Sequence, residues 1–196
     1  MIRLGVTGGI GSGKSTVSQI LSLYGVPVYI ADKESKKLTE SSPIIREKLI
    51  RLFGKELYKN GTLNKPLLAS YIFNDKNKLN EVNAIIHPEV KEDWDEWLQK
   101  NNRNKIVAQE AAILYESGFN RFMDKIILVY TPIEFRIQRV IKRDNISEEK
   151  VLERIGNQLS DEEKINLADF IIINDEKHSL IKQTLDIINS LKTSDK

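Results

Sequence analysis

The chain of 196 residues contains no cysteine and only two histidines, His87 and His178. Without cysteine it can form neither a disulfide framework nor a thiolate metal site, and the separation of the histidines argues against a structural zinc site. Its 30 lysine and arginine residues are nearly balanced by 28 aspartate and glutamate residues, which gives a formal net charge of +2. Because this balance disfavours a nucleic-acid-binding surface, we expect no nucleic-acid partner.

Long apolar runs are also missing. No stretch approaches the roughly 20 apolar residues of a membrane-spanning helix, so we expect no membrane partner. A strand-like run begins at Ile2 and leaves no room for a signal peptide before it. We therefore expect a soluble, cytoplasmic protein, and the length predicts one compact domain that can carry an inserted subdomain.

A glycine-rich segment near the N-terminus is the most informative motif. Gly8, Gly13, Lys14 and Ser15 occupy the fixed positions of the pattern G-x-x-x-x-G-K-[ST], between a strand-like and a helix-like segment. In such a loop, backbone N–H groups bind phosphate, the lysine adds positive charge, and the serine hydroxyl can ligate Mg²⁺. The residues expected to bind nucleotide are Gly8, Gly9, Ile10, Gly11, Ser12, Gly13, Lys14, Ser15 and Thr16.

Five nearly continuous apolar runs alternate with helical stretches, and they cover residues 2–6, 26–30, 105–109, 126–130 and 170–174. This alternation predicts an α/β fold with a doubly wound, five-stranded parallel sheet. Ligands of such sheets bind at the carboxyl ends of the strands. The residues that follow the strands are therefore site candidates: Asp32, Glu110, Thr131 and Asn174.

Several helix starts carry recognisable signals. Ser42-Pro43 and Pro88 place proline at a first helical position. The segments 131–134 (Thr-Pro-Ile-Glu) and 160–163 (Ser-Asp-Glu-Glu) read as capping boxes.

These signals divide the chain into three parts. The interval between the second and third apolar runs predicts an all-helical insertion that contains an Asn60-Gly61 turn. The predicted parts are a nucleotide-binding core (1–32, 105–135 and 165–196), a helical insertion (33–104) and a helical lid (136–164).

The predicted lid is rich in arginine. Arg136, Arg139 and Arg143 share one helix face, and the next helix carries Arg154. Phosphoryl transfer depends on positioning and on stabilising negative charge, so such cations are typical of a lid that closes over a nucleotide. A solvated basic surface is the alternative, most of all for Arg136.

Three carboxylates are candidates for catalysis or metal binding. Asp32 could accept the proton of an attacking hydroxyl group, or it could cap a helix that starts at Lys33. Glu110 could hold Mg²⁺ directly or through water. Glu116 could pair with a lid arginine, and an ordinary surface role is the alternative for Glu110 and Glu116.

Over almost its whole length, the chain resembles the dephospho-coenzyme A kinase family of P-loop small-molecule kinases. The segments that carry the resemblance are Gly5–Val17, Val28–Asp32, Phe53-Gly54, Asn60–Leu63, Ile86–Pro88, Ala111–Glu116, and positions Arg139, Lys142–Asp144, Arg154-Ile155, Gln158, Lys164, Ala168-Asp169 and Asn174. The resemblance implies a P-loop NTPase-like fold and ATP-dependent phosphorylation of the ribose 3′-hydroxyl of dephospho-coenzyme A, with Mg²⁺ as cofactor. We expect a monomer or weak homo-oligomer.

The resemblance also implies roles for individual residues. Asp32 would orient or deprotonate the hydroxyl group, while Lys14 and Arg143 would stabilise the migrating phosphoryl group. Arg143 and Asn174 would contact ATP, and Ser15 and Glu110 would hold the metal ion. The resemblance implies that the insertion 33–104 binds the acceptor. The implied acceptor-binding residues are Asp32, His87, Glu116, Arg139 and Arg154.

The sequence departs from the family pattern in several places. The departures are Ile30 for an aspartate, Asn64-Lys65 for an Asp-Arg pair, Ala112 for a proline, Arg136 for a glutamine and Glu110 for an aspartate. The change at Asn64-Lys65 puts a substrate contact from that segment in doubt.

Two other functions remain open from the residues alone. One is another small-molecule or nucleoside P-loop kinase. The other is a GTPase switch, which needs an N-K-x-D element, and the nearest segment, Asn77-Lys78-Leu79-Asn80, lacks the aspartate.

Overall fold

The computed structural model describes residues 1–59, 61–73 and 75–193. Asn60 of the predicted turn and residues 194–196 of the predicted core lie outside the described residues. The chain forms two compact units, one from Met1–Ile30 and Asn101–Lys196 and the other from Ala31–Lys100. Among the described residues, no helix is both long and apolar enough to cross a bilayer.

The first unit is built on a five-stranded sheet. With elements numbered along the whole chain, its strands are β1 (Ile2–Thr7), β2 (Val28–Ile30), β5 (Ile106–Glu110), β6 (Lys125–Tyr130) and β7 (Phe170–Ile173). They are parallel and lie in the order β2-β5-β1-β6-β7, which confirms the predicted sheet. Because β1 is the central strand, the loop that follows it lies in the middle of the carboxyl edge.

In the described part of this unit, five α-helices accompany the sheet: α1 (Lys14–Leu23), α6 (Ile133–Asp144), α7 (Glu148–Gly156), α8 (Asp161–Leu167) and α9 (Leu180–Thr193). α1 turns Val17 and Leu21, one helical turn apart, into a core that also contains Leu4, Ile127 and Ile188. Val17 and Leu21 are fully buried, and burial of one such side chain contributes about 1.5–3 kcal/mol. This core fixes the start of α1 beneath the glycine-rich loop.

One of the two predicted capping boxes is present. The Ser160 hydroxyl accepts the Glu163 N–H at 3.2 Å, and the Ser160 N–H donates to the Glu163 carboxylate at 2.9 Å. The box predicted at 131–134 is wrong, because Pro132 is the N-cap of α6 and no side chain caps that helix. The Thr131 hydroxyl instead lies 2.9 Å from the carbonyl oxygen of Ser12, in the glycine-rich loop.

The second unit is mostly helical, with α2 (Ala31–Ser41), α3 (Pro43–Phe53), α4 (Lys65–Ile72) and α5 (Lys76–Lys100). The prediction of an all-helical insertion is wrong in one detail, because β3 (Tyr58–Lys59) and β4 (Thr62–Leu63) form an antiparallel pair. This hairpin turns Tyr58 and Leu63 into the apolar cluster of the unit, where they join Leu49 and Val82. Burial of these two side chains explains why the segment leaves the helical pattern.

The helix predicted from Pro88 is longer than expected. α5 begins at Lys76, and the Asp75 carboxylate accepts the N–H groups of Asn77 and Lys78 at 3.0 and 3.1 Å. The helix continues through Pro88, whose missing N–H costs one helical hydrogen bond. By contrast, the predicted start at Ser42-Pro43 is confirmed, with the Ser42 hydroxyl accepting the Ile45 N–H.

The Asn64-Lys65 pair has a local structural role. The Asn64 side chain caps α4 by accepting the Leu67 N–H at 3.2 Å. Lys65 pairs with Glu40 at 2.6 Å. Because aspartate and asparagine cap helices about equally well, an aspartate at position 64 could perform the same task.

Replacement of Asn64 should therefore separate capping from charge. We expect Asn64→Ala to lower the free energy of unfolding by about 1 kcal/mol, since the Leu67 N–H loses its acceptor. Asn64→Asp is the control and should stay within about 0.5 kcal/mol of the wild type. Urea denaturation measures both, and equal loss in the two variants would contradict the capping role.

Candidate functional site

The loop between β1 and α1 depends on glycine at two positions. Gly11 and Gly13 have φ angles of +80° and +93°, in the left-handed region that side chains disfavour. A Cβ atom on Gly11 would lie 2.7 Å from the Arg136 carbonyl oxygen, and one on Gly13 would clash with the Asn174 amide. Both the conformation and the close neighbours therefore require glycine, as the motif predicts.

Lys14 is held across this loop. Its ammonium donates to the carbonyl oxygens of Gly8 and Gly9 at 2.9 and 3.1 Å, and the residue is only 8% exposed. The positive charge is thus placed on the loop itself, at the N-terminal end of α1. Charge and helix dipole together make this position favourable for an anion.

Ser15 and Glu110 form a pair beside the loop. The Ser15 hydroxyl lies 3.3 Å from one carboxylate oxygen of Glu110, which is 7% exposed at the end of β5. The other carboxylate oxygen is buried and has no hydrogen-bond partner among the described residues. Val6 near the end of β1 pairs with Glu110 at the end of β5. Glu110 therefore lies at the same edge of the sheet as the loop that leads from β1 to Ser15.

This pair fits a Mg²⁺ ion. Hydroxyl and carboxylate oxygens are suitable ligands, and the unpartnered oxygen of Glu110 would gain one by binding a cation. In the described part of the chain, no group of three His, Cys, Asp or Glu residues is arranged to bind a metal. Magnesium commonly takes one or two protein ligands, with phosphate and water completing its shell.

Asn174 and Thr131 support the loop from the ends of β7 and β6. The Asn174 amide donates to the Ser12 carbonyl oxygen at 2.8 Å. The Thr131 hydroxyl lies 2.9 Å from that oxygen and 3.0 Å from the Asn174 carbonyl oxygen, and it donates to one of them. Asn174, predicted to contact ATP, thus contacts the loop that would hold the phosphates.

Arg136 is neither a solvated cation nor a free lid residue. It is 2% exposed, and one guanidinium nitrogen lies 2.7 Å from both carboxylate oxygens of Asp161. Its guanidinium also lies against Gly9, leaving no space there for a Cβ atom. Arg136 therefore links α6, α8 and the glycine-rich loop.

Arg139 pairs with Glu176 at 3.3 Å near the surface.

Arg143 and Arg154 share the carboxylate of Asp144. Arg143 donates to it at 2.7 and 3.1 Å, and Arg154 donates at 2.8 Å. The hydrogen bond from Arg143, together with both positive charges, lowers the pKa of Asp144 to about 2. The two arginine side chains are 61% and 49% exposed, so they can turn towards a ligand without leaving a core.

Glu116 has a different partner from the one predicted. The expected pair with a lid arginine is replaced by Lys164, whose ammonium lies 3.2 Å from Glu116 and is fully buried. Glu116 also accepts the Leu159 N–H at 2.8 Å. These two contacts of Glu116 attach α8 and the segment before it.

The neighbouring Tyr115 is affected by its surroundings. Burial, with the nearby charges of Asp169 and Glu116, raises the pKa of Tyr115 to about 12.

Two predicted residues, Asp32 and His87, belong to the second unit. α2 begins at Ala31, so Asp32 lies in the first helical turn, and the alternative that it caps a helix from Lys33 is wrong. The side chain is exposed, and a carboxylate in this turn is stabilised by the helix dipole. His87 is half-buried in α5, and burial lowers its pKa. Their contacts with an acceptor stay predictions.

Gln158 was absent from the predicted site. Its side-chain oxygen accepts the N–H of Ile10 at 2.9 Å, and its amide nitrogen donates to the Ala112 carbonyl oxygen at 3.3 Å. Its place four residues after Arg154, in a family-like segment, was the available signal. The sequence could not reveal that both partners are distant backbone groups.

Comparison with known proteins gives consistent matches. Residues 2–179 match a family model described as dephospho-CoA kinase. A dephospho-CoA kinase of Bacteroides fragilis is 49% identical over 187 residues, covering 95% of this chain and 91% of the relative. A Thermus thermophilus crystal structure aligns with a TM-score of 0.83 at 32% identity, covering 96% of each chain. A Campylobacter jejuni dephospho-CoA kinase structure aligns with a TM-score of 0.72 at 27% identity, covering 99% of this chain and 98% of its own.

The low pKa of Asp144 is testable. Because the folded-state pKa lies below the unfolded value, the ion pairs contribute stability above about pH 4 and lose it only as the pH falls towards about 2. In an NMR titration, the Asp144 carboxyl carbon should keep its ionised shift down to about pH 3. Arg143→Gln should raise the midpoint. A wild-type midpoint near that of an ordinary aspartate, about 3.9, would contradict this arrangement.

Proposed function

The chain belongs to the dephospho-CoA kinase family, and we propose that it transfers the γ-phosphoryl group of ATP to the ribose 3′-hydroxyl of dephospho-coenzyme A. The products are coenzyme A and ADP, the final step of coenzyme A synthesis. The observation that carries this proposal is the family match over residues 2–179, which includes the glycine-rich loop, the second unit and the lid segment. The loop geometry supports the nucleotide part of the reaction.

The glycine-rich loop is assigned to the ATP phosphates. Its backbone N–H groups and the N-terminus of α1 favour phosphate oxygens, and Lys14 adds a positive charge. Ser15 and Glu110 would hold Mg²⁺, which when bound neutralises phosphate charge and orients the outer phosphates. The 3.3 Å distance between the Ser15 hydroxyl and the Glu110 carboxylate supports this assignment.

Asp32 is assigned to the proton of the acceptor. As the 3′-oxygen forms its bond to the γ-phosphorus, the bond from that phosphorus to the β–γ bridging oxygen breaks and ADP departs. The hydroxyl proton passes to the Asp32 carboxylate. Support comes from the exposure of Asp32 and its place two residues after β2. The dipole of α2 favours the ionised carboxylate that accepts the proton.

The segment 136–164 is assigned to the lid. Arg143 is the cation proposed to stabilise the migrating phosphoryl group, because its side chain is exposed and, among the described residues, bonds the neighbouring Asp144 alone. Arg136 and Lys164 are buried and ion-paired, which suits them to hold the lid in place.

Further assignments depend on the family. Acceptor contacts of His87, Glu116, Arg139 and Arg154 stay predictions, and so do the cytoplasmic location and the monomeric or weakly oligomeric state. Another small-molecule kinase differs from this proposal only in its acceptor.

An acceptor panel tests the proposal. With Mg-ATP and a coupled assay for ADP, we expect kcat/KM for dephospho-coenzyme A to exceed that for adenosine, AMP and other nucleosides by at least about 100-fold. A purified, folded protein that prefers a nucleoside would support the alternative kinase. Hydrolysis of GTP in preference to ATP, without any acceptor, would support the GTPase switch.

Asp32→Asn tests the proton acceptor. Asparagine keeps the size of the side chain but cannot take the proton, so kcat should fall by roughly 10²–10⁴-fold. The lost dipole interaction should cost only about 0.3–1 kcal/mol of stability, and the ATP dissociation constant should barely change.

Glu34→Gln is the matched control, because Glu34 is the other acidic residue in the first turn of α2. It loses the same kind of dipole interaction and should keep normal turnover. An Asp32→Asn enzyme with near-normal kcat would remove Asp32 from the chemistry.

A further inference from the structure

Gln158 connects three separate parts of the first unit. It lies two residues after the end of α7, and its half-buried side chain reaches the N–H of Ile10 and the carbonyl oxygen of Ala112. Ile10 belongs to the glycine-rich loop, and Ala112 follows β5. A neutral amide is the group that can accept one of these bonds and donate the other.

The backbone N–H groups of the loop fall into two sets, those with a hydrogen-bond acceptor and those without one among the described residues. Among the hydrogen bonds of the described residues, none is donated by the backbone N–H of Gly11, Gly13 or Ser15. These groups are available to phosphate oxygens. The N–H of Ile10 is instead occupied by a side chain from the lid segment. The loop can therefore hold a nucleotide and the base of the lid through different donors.

A second attachment lies next to the first. The N–H of Leu159, the next residue, donates to Glu116 at 2.8 Å. Gln158 and Leu159 together fix the chain that leaves α7 against the segment 111–116. Arg154 lies in α7, four residues before Gln158, and the Asp144 carboxylate joins it to Arg143. The position of both arginines thus depends on where the end of α7 is held.

We propose that Gln158 is a positioning residue that sets the lid arginines relative to the phosphate loop, acting through Ile10 and Ala112. This inference rests on the proposed function. Gln158 does not touch the reacting atoms in this account. A displacement of catalytic groups by about 1 Å can cost about 100-fold in rate, so loss of the two hydrogen bonds should lower kcat more than nucleotide affinity.

Gln158→Met is the direct test, because methionine keeps the length and volume of the side chain without its hydrogen bonds. We expect kcat with dephospho-coenzyme A to fall by about 10–100-fold, while the dissociation constant of Mg-ADP changes by less than about 3-fold. Gln158→Asn is a second variant that retains an amide too short to span both partners. It should lose kcat in the same way.

Gln183→Met is the matched control. Gln183 also bridges backbone groups, accepting the Ile173 N–H at 2.8 Å and donating to the Ile173 carbonyl oxygen at 2.9 Å. Its loss should lower the melting temperature about as much as the loss of Gln158, with kcat within about 3-fold of the wild type. An equal fall of kcat in both variants would show that Gln158 only stabilises the fold, and would overturn the inference.

A double-mutant cycle with Arg154→Gln checks the route of the effect. If Gln158 acts by positioning the arginines, the effects of Gln158→Met and Arg154→Gln on kcat should be less than additive. Full additivity, or normal kcat in both Gln158 variants, would overturn the inference. A wild-type enzyme that does not phosphorylate dephospho-coenzyme A would instead refute the proposed function, so the two failures are distinguishable.

Discussion

The backbone conformation of the loop between β1 and α1 is the constraint on which the rest of the first unit depends. Left-handed residues at Gly11 and Gly13 turn the chain so that its N–H groups remain open to an anion. The carbonyl groups of the loop accept hydrogen bonds from the protein itself. The Asn174 amide donates to the Ser12 carbonyl oxygen, and the Lys14 ammonium donates to those of Gly8 and Gly9. These internal hydrogen bonds fix the conformation of the loop, which reduces the reorganisation needed for catalysis.

The cations of the lid segment fall into two groups that differ in burial. Arg136 and Lys164 are buried, and each is paired with a carboxylate, so removal of the carboxylate would leave a desolvated positive charge. Arg143 and Arg154 are exposed and share Asp144. Because solvent screens these ion pairs, exchanging one partner for another changes the free energy little. The segment is thus attached by its two buried ion pairs, while its two exposed arginines can change partners.

Features encoded by local pattern were predictable from the sequence, and features made by distant partners were not. The five apolar runs and the loop motif predicted the sheet and the phosphate cradle, because strand burial and loop chemistry are local. The hairpin at Tyr58–Leu63 was missed, since strands of two residues carry no periodicity. Thr131 matched the pattern of a helix cap, but its hydroxyl group lies 2.9 Å from the carbonyl oxygen of Ser12, which is 119 residues away in the sequence. Gln158 likewise bonds Ile10 across 148 residues.

In the proposed reaction, the organised loop delivers a phosphoryl group to one defined hydroxyl group. Correlation of phosphorus with proton signals in the product from Mg-ATP and dephospho-coenzyme A tests this most directly. Besides the signals of ADP, we expect one new phosphomonoester signal, coupled to the ribose H3′ of the acceptor. A new signal coupled to H2′ would contradict it, and so would ADP release that leaves the acceptor unphosphorylated.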